Sequence, residues 1–117
     1  MAISRDWAKL FAADWNARDL KGVLSHYTDH FEMSSPLIMK IAGEPSGWLR
    51  GKEKVAAYWR AALGRNPGLP FELLDVFSGP NSIVVHYRRN SGRRAAEVLF
   101  FDEQRLVYRA AAHYMEG

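Results

Sequence analysis

The sequence predicts a small α+β domain, with helices in its first half and an antiparallel sheet in its second half. Two observations on the pattern support this: apolar residues recur at helical spacing up to about residue 63, and beyond residue 71 they form four runs separated by short turns. The chain has 117 residues, of which 48% are hydrophobic and 25% charged, as is typical of a globular protein. We therefore expect one domain spanning residues 1–117.

Three helices are predicted in the first half. The first has one apolar face and a serine, Ser4, placed to cap its start. That face contains Ile3, Trp7, Leu10, Phe11 and Trp15. Asp19 is placed to cap a short second helix, and residues 51–63 form a third that Gly64 is expected to end.

The segment between the second and third helices is predicted to be mostly irregular. Residues 30–35 resemble a short strand that Pro36 stops. Residues 36–50 contain two prolines and two glycines, which indicates a loop with little strand. This loop is the expected lid over any pocket.

Four strands are predicted in the second half, joined by short turns as an antiparallel meander. They cover residues 71–78, 83–89, 93–101 and 106–114. Both faces of the resulting sheet are apolar and need cover. The helices cover one face, so we expect a second copy of the chain to cover the outer face in a homodimer.

Tight two-residue turns would place three polar side chains together on one face of the sheet. Asp75 would pair with His86, and His86 with Glu97. An imidazole between two carboxyl groups in apolar surroundings is suited to proton transfer, which makes these three residues the candidate catalytic group. The alternative is a buried polar cluster that only fixes the strand register.

Composition and motifs argue against several other functions. The chain has no cysteine, its histidines lack metal-ligand spacing, and no glycine-rich phosphate loop is present, so we expect no metal and no cofactor. The net charge of +3 is concentrated in an arginine-rich run at residues 88–94, but no aromatic residue interleaves it. We expect no nucleic-acid or membrane partner and a cytoplasmic location.

Several short stretches, in order along nearly the whole chain, resemble the nuclear-transport-factor-2-like superfamily, in particular its SnoaL-like polyketide cyclase and ketosteroid isomerase-like branch. They are Trp-Asn-Ala-Arg-Asp-Leu at 15–20, Leu-Ser-His-Tyr-Thr-Asp at 24–29, Ser-Pro at 35–36, Leu-Arg-Gly-Lys-Glu at 49–53, Ala-Tyr-Trp at 57–59, Phe-Glu-Leu at 71–73, Ala-Glu-Val at 96–98, Phe-Asp at 101–102 and Ala-His-Tyr at 112–114. The resemblance implies a cone-shaped fold, usually dimeric, with a pocket between the helices and a concave sheet.

The resemblance does not imply one activity, because the fold hosts both enzymes and binding proteins. Measured against ketosteroid isomerases, Ser35 stands at the position of the catalytic aspartate and Phe11 at that of the oxyanion-hole tyrosine. Glu97 matches the second oxyanion-hole acid. Of the supporting tyrosines, Tyr27 is kept and Trp59 is changed. Steroid isomerisation by that mechanism is therefore not expected.

Five residues are predicted to line the pocket. They are Trp15, Tyr27, Ser35, Trp59 and Tyr114. The resulting hypotheses are a cofactor-independent acid–base enzyme acting on an apolar small molecule (an isomerase, cyclase, dehydratase or epoxide hydrolase), a non-catalytic ligand-binding domain, and a dimerisation domain.

Overall fold

The computed structural model describes residues 5–65, 71–89 and 92–116. Four helices and six strands follow one another in these ranges. In chain order they are α1 (Arg5–Asn16), α2 (Leu20–Leu24), β1 (Tyr27–Ser34), α3 (Pro36–Ile41), β2 (Trp48–Arg50), α4 (Lys52–Arg65), β3 (Glu72–Ser78), β4 (Ser82–Arg88), β5 (Arg94–Phe101) and β6 (Val107–Tyr114). The predicted α+β class is confirmed.

The predicted helix signals are partly confirmed. The Asp19 carboxylate accepts a hydrogen bond from the backbone N–H of Gly22 at 3.0 Å, so it caps α2 as expected. Gly64 does not end α4, which continues to Arg65. Leu10 was predicted on the buried face of α1 but is 62% exposed. The predicted contributions of Ile3 and Ser4 lie outside the described residues.

The segment predicted to be a loop contains a helix, α3, and the short strand β2. Ser35 caps α3, with its hydroxyl accepting from the backbone N–H of Leu37, and Pro36 occupies the first turn. Proline is favoured there because the first N–H groups of a helix have no internal partner. Serine followed by proline was therefore a helix signal that the loop prediction overlooked.

The strands form one sheet in the order β2-β1-β6-β5-β4-β3. The predicted meander is present as β3 to β6, with β3–β4, β4–β5 and β5–β6 all antiparallel. β1 adds to β6 in parallel, and β2 pairs with β1. The helices cover the inner face of this curved sheet, and the opposite face is called the outer face below.

The register of the β4–β5 hairpin differs from the predicted one by a single residue. Arg88 pairs with Arg94, which leaves an odd number of residues between them, whereas a two-residue turn leaves an even number. Gly92 has φ +86°, a left-handed conformation that glycine adopts without strain and that three-residue hairpin loops use. Asn90 and Ser91 lie outside the described residues.

The hydrophobic core fills the space between the helices and the inner face. Its largest fully buried members are Tyr27, Phe31, Ile38, Ile83, Leu99, Val23, Val55, Val85 and Val107. Asn16, at the end of α1, exchanges two side-chain hydrogen bonds with the backbone of Phe71 and so joins this helix to the start of β3. Within the described ranges, no helix combines the length and the apolar character needed to cross a bilayer.

Candidate functional site

A cavity of about 580 Å³ lies between the helices and the inner face of the sheet. This volume lies within the range of small-molecule sites. The described residues that line it are mostly apolar and aromatic, with a few polar groups: Phe11, Trp15, Asn16, Arg18, Met33, Leu37, Tyr58, Trp59, Ala62, Leu63, Phe71, Tyr87, Arg89, Glu97, Ala112 and Tyr114.

Glu97 contributes the one carboxyl group among the described lining residues. It lies on β5 between Val85 of β4 and Ala112 of β6, and it is 8% exposed. No hydrogen bond or ion pair joins its side chain to another residue in the described part of the chain. Burial therefore raises the pKa of the Glu97 carboxyl to about 7, since the ionised form loses its hydration without gaining a partner.

Three hydroxyl groups form a chain at one wall of the cavity. Tyr58 and Tyr114 line the cavity, whereas Ser35, which was predicted to line it, is not among the described lining residues. Ser35 Oγ lies 3.4 Å from the Tyr58 hydroxyl, which donates to it, and 3.3 Å from the Tyr114 hydroxyl. Ser35 is 3% exposed and lies at the end of β1, so its position is fixed by the sheet and by its bond to the N–H of Leu37. Burial raises the pKa of Tyr58 to about 12 and that of Tyr114 above its usual value, which keeps both hydroxyls protonated.

Arg89 brings a positive charge to the same wall. Its guanidinium carbon lies 4.3 Å from the centre of the Tyr114 ring, a cation–π contact. Its charge also lowers the pKa of Tyr58, Tyr87 and Tyr114, although burial outweighs this effect at each tyrosine. Arg18 is a second lining arginine, on the loop after α1.

The other predicted pocket residues occupy two kinds of position. Trp15 and Trp59 line the cavity and pack edge to face, with ring centres 4.9 Å apart. Tyr27 lies behind Trp59, at 5.4 Å, and is not among the lining residues. Its hydroxyl is buried and lacks a hydrogen-bond partner among the described residues.

The predicted cluster of Asp75, His86 and Glu97 is wrong. Asp75 and His86 are paired as expected, with Asp75 Oδ2 3.1 Å from His86 Nδ1, but they lie on the outer face. His86 is opposite Ala96, so Glu97 points to the other side of the sheet. The one-residue difference at the β4–β5 turn reverses the face of every β4 side chain relative to β5. The β3–β4 register from Asp75 to Ser78 is the predicted one, so Asp75 follows His86 to the outer face. The bulge between Leu73 and Asp75 instead brings Leu73 opposite Tyr87, on the inner face.

The lining residues that sequence reasoning did not predict include Tyr58, Tyr87 and Arg89, and the same turn explains the last two. Once Arg88 is opposite Arg94, alternation places Tyr87 and Arg89 on the inner face with Val85. Counting a three-residue turn as an alternative would have found them. Tyr58 lies on α4, and its link to Ser35 depends on how α4 packs against β1, which the sequence pattern does not indicate.

No group of three or more His, Asp or Glu side chains converges on a point suited to a metal ion in the ranges that the structure describes. The predicted absence of a cofactor remains a prediction.

The fold and the cavity together define a class: an α+β cone with a small-molecule-sized pocket between helices and sheet. The sequence profile of SnoaL-like domains matches residues 8–114, and the chain belongs to the SnoaL-like domain family. This confirms the superfamily that the sequence resembles. A search of the curated proteins finds no match.

Solved structures provide further comparisons. The chain is 51% identical to a SnoaL-like protein of unknown function from Burkholderia thailandensis E264, with a TM-score of 0.91, covering 96% of this chain and 93% of that one. It is 15% identical to an NTF2-like protein of unknown function from Burkholderia pseudomallei K96243, with a TM-score of 0.77 and coverage of 98% and 92%. TerC, co-crystallised with polyporic acid, is 14% identical, with a TM-score of 0.73 and coverage of 92% and 88%.

Proposed function

We propose that this protein is a cofactor-independent enzyme that transfers a proton on an apolar small molecule, with Glu97 as its acid–base group. One observation carries the proposal: a carboxyl group with a pKa of about 7 lies in an apolar cavity of about 580 Å³. A proton-transfer group works best when its pKa is near the working pH, because both protonation states are then accessible. An ordinary surface glutamate is almost fully ionised at that pH.

A single carboxyl group is sufficient for several reactions of this kind. In an isomerisation, a dehydration or an aldol-type ring closure, the Glu97 carboxylate would take a proton from one carbon and its acid form would return a proton to another atom. The aromatic walls, Trp15 and Trp59 among them, would exclude water and hold a flat substrate. Asp75 and His86, on the outer face, have no part in this reaction.

Related folds supply indirect support. TerC, which shares the fold, was co-crystallised with polyporic acid. At 14% identity this likeness supports only the shared fold. The cavity of the present chain, of about 580 Å³, is large enough for a small organic molecule.

The test is the variant Glu97→Gln, which keeps the size and polarity of the side chain but cannot exchange a proton. On a substrate found by screening cyclisable and isomerisable carbonyl compounds, we expect kcat to fall by roughly 10²–10⁴-fold. Glu103→Gln, in the exposed β5–β6 turn, is the matched control and should leave kcat unchanged. Full activity of Glu97→Gln would disprove the mechanism.

The pH profile of kcat assigns the direction of the rate-limiting proton transfer. If Glu97 acts first as the base, kcat should rise through pH 7, since the carboxylate forms above its pKa. If it acts first as the acid, kcat should fall through the same range. In Glu97→Gln this inflection should disappear.

The second candidate is a ligand-binding domain without turnover. The described lining residues favour it in one respect: beside Glu97 they include no second carboxyl and no imidazole to complete an acid–base pair. Tight binding of a screened compound by both the wild type and Glu97→Gln, with no chemical change in the compound, would support this candidate.

A further inference from the structure

The described lining of the cavity contains more positively charged side chains than negatively charged ones. Its described lining contains two arginines, Arg18 and Arg89, and one carboxyl group, Glu97. Burial alone accounts for the raised pKa of Glu97, so neither arginine neutralises it. Among the described lining residues, positively charged groups therefore outnumber negatively charged ones at neutral pH, and water screens charge less in a cavity than in bulk solvent.

Arg89 is the arginine with a defined position in this cavity. Within the described part of the chain it forms no ion pair; its cation–π contact with Tyr114 uses the ring face. A guanidinium has five N–H donors in a planar fork that matches the two oxygens of a carboxylate. Stacking on a tyrosine ring leaves that fork available.

Tyr114 supplies a second donor at the same place. The direction of its hydrogen bond with Ser35 follows from counting the donors and acceptors at Ser35 Oγ. Ser35 Oγ has two acceptor sites, which are taken by the backbone N–H of Leu37 at 3.2 Å and by the Tyr58 hydroxyl at 3.4 Å. Ser35 must therefore donate its own proton to Tyr114 Oη, at 3.3 Å. The Tyr114 O–H is then free to donate to a molecule in the cavity that this residue lines.

We propose that Arg89 and Tyr114 form an anion-binding subsite, and that the cavity takes an aromatic or similarly flat carboxylic acid in its ionised form. The carboxylate would lie against the Arg89 fork and accept the Tyr114 proton, while the ring system lies along Trp15 and Trp59. This proposal names the ligand class of the proposed enzyme and rests on the same cavity. It does not depend on Glu97 performing chemistry.

The test is a binding experiment on matched pairs of probes. Naphthalene-2-carboxylate, biphenyl-4-carboxylate and anthracene-2-carboxylate are compared by calorimetry at pH 8 with the corresponding uncharged carboxamides. We expect at least one carboxylate to bind roughly tenfold more tightly than its amide, because charge-assisted hydrogen bonds are about twice as strong as neutral ones. Quenching of tryptophan fluorescence places the bound probe, since Trp15 and Trp59 line the cavity.

Two variants and two matched controls identify the subsite. Arg89→Gln should remove the preference for the carboxylate while changing amide binding less than about twofold, and Tyr114→Phe should reduce the preference several-fold. Arg94→Gln removes the same charge from the same hairpin on the outer face, and Tyr108→Phe removes an exposed hydroxyl. Neither control should change binding.

The proposal is overturned if no carboxylate binds, if the amides bind as tightly as the acids, or if Arg94→Gln has the effect expected of Arg89→Gln. Binding does not require turnover, so these outcomes are independent of the Glu97→Gln kinetics. If the carboxylates bind as expected and Glu97→Gln retains full activity, the proposed reaction fails while the subsite stands. If Glu97→Gln loses turnover but the carboxylates bind no more tightly than the amides, the proposed reaction stands and the subsite fails.

Discussion

Glu97 opposes the stability of the fold at the pH where the proposed chemistry occurs. Its carboxyl has a pKa of about 7 in the folded protein, against 4.5 for an ordinary glutamate. The folded state therefore binds the proton more tightly than the unfolded state. Between these two pKa values, stability falls as the pH rises, and at 1.36 kcal/mol for each pKa unit the loss reaches about 3 kcal/mol above pH 7.

The variant Glu97→Gln tests this cost directly, apart from any activity. Glutamine cannot ionise, so we expect its free energy of unfolding relative to the wild type to improve by about 3 kcal/mol between pH 4.5 and pH 8. Urea unfolding at several pH values measures the difference, with Glu103→Gln as the control. A difference that stays constant over this range would show that the Glu97 carboxyl titrates normally.

Among single residues, the sequence identified Glu97 and three aromatic lining residues, but not the polar side chains that accompany Glu97 in the cavity. The apolar neighbours of Glu97 and its match to an acid of the superfamily indicated a buried carboxyl on the inner face. Trp15, Trp59 and Tyr114 were predicted to line the pocket, and the structure places them there. Arg89 was recognised only as part of the arginine-rich run at residues 88–94, because a side chain's face depends on the turn that precedes or follows its strand.

At the scale of single elements, the hairpin between β4 and β5 decided what could be predicted. Val84 lies on one face of β4, and Ile83 and Val85 on the other, so the apolar pattern did not indicate which face was inner. The tripeptide 90–92 suits a two-residue or a three-residue turn equally well. One residue of difference moved His86 to the outer face and left Glu97 inside, which is why the fold was predicted correctly and the catalytic cluster was not.

The caps of α2 and α3 allow a prediction at this scale. Ser35→Ala and Asp19→Ala each remove one capping bond, which costs about 0.5–2 kcal/mol of unfolding free energy. Ser35→Ala should cost about 1–3 kcal/mol more, because it also leaves the Tyr58 hydroxyl, on a residue 6% exposed, without its partner. Chemical denaturation measures both, and adding Tyr58→Phe to Ser35→Ala should recover part of the extra loss. Equal costs for the two single variants would contradict the proposed hydroxyl chain.

For the molecule as a whole, the outer face of the sheet is the feature left to explain. The helices lie on the inner face, yet the outer face of β3 to β6 also carries apolar side chains, among them Phe77, Val84, Val98, Phe100 and Ala111. Phe77 is 59% exposed. Ion pairs lie at the edges of this apolar area, from Asp75–His86 on one side to Glu32–Arg109 on the other. An apolar centre with a polar rim is typical of a protein–protein interface.

We propose that a second copy of the chain covers the outer face, as the sequence predicted. Val98 is at the centre of this face, between Val84 and Ala111 on the neighbouring strands. In a twofold dimer each substitution occurs twice and in contact with the same face of the partner, so Val98→Glu should turn a dimer into a monomer.

Light scattering after size-exclusion chromatography measures the mass of the wild type and of each variant. Leu10→Glu is the control, since Leu10 is an apolar residue that is 62% exposed but lies on α1, away from the outer face. Carboxylate binding should persist in the monomer, because Arg89 and Tyr114 face the inner cavity of their own chain. A wild type that is monomeric at tens of micromolar, or a dimer that Leu10→Glu dissociates and Val98→Glu does not, would exclude this interface.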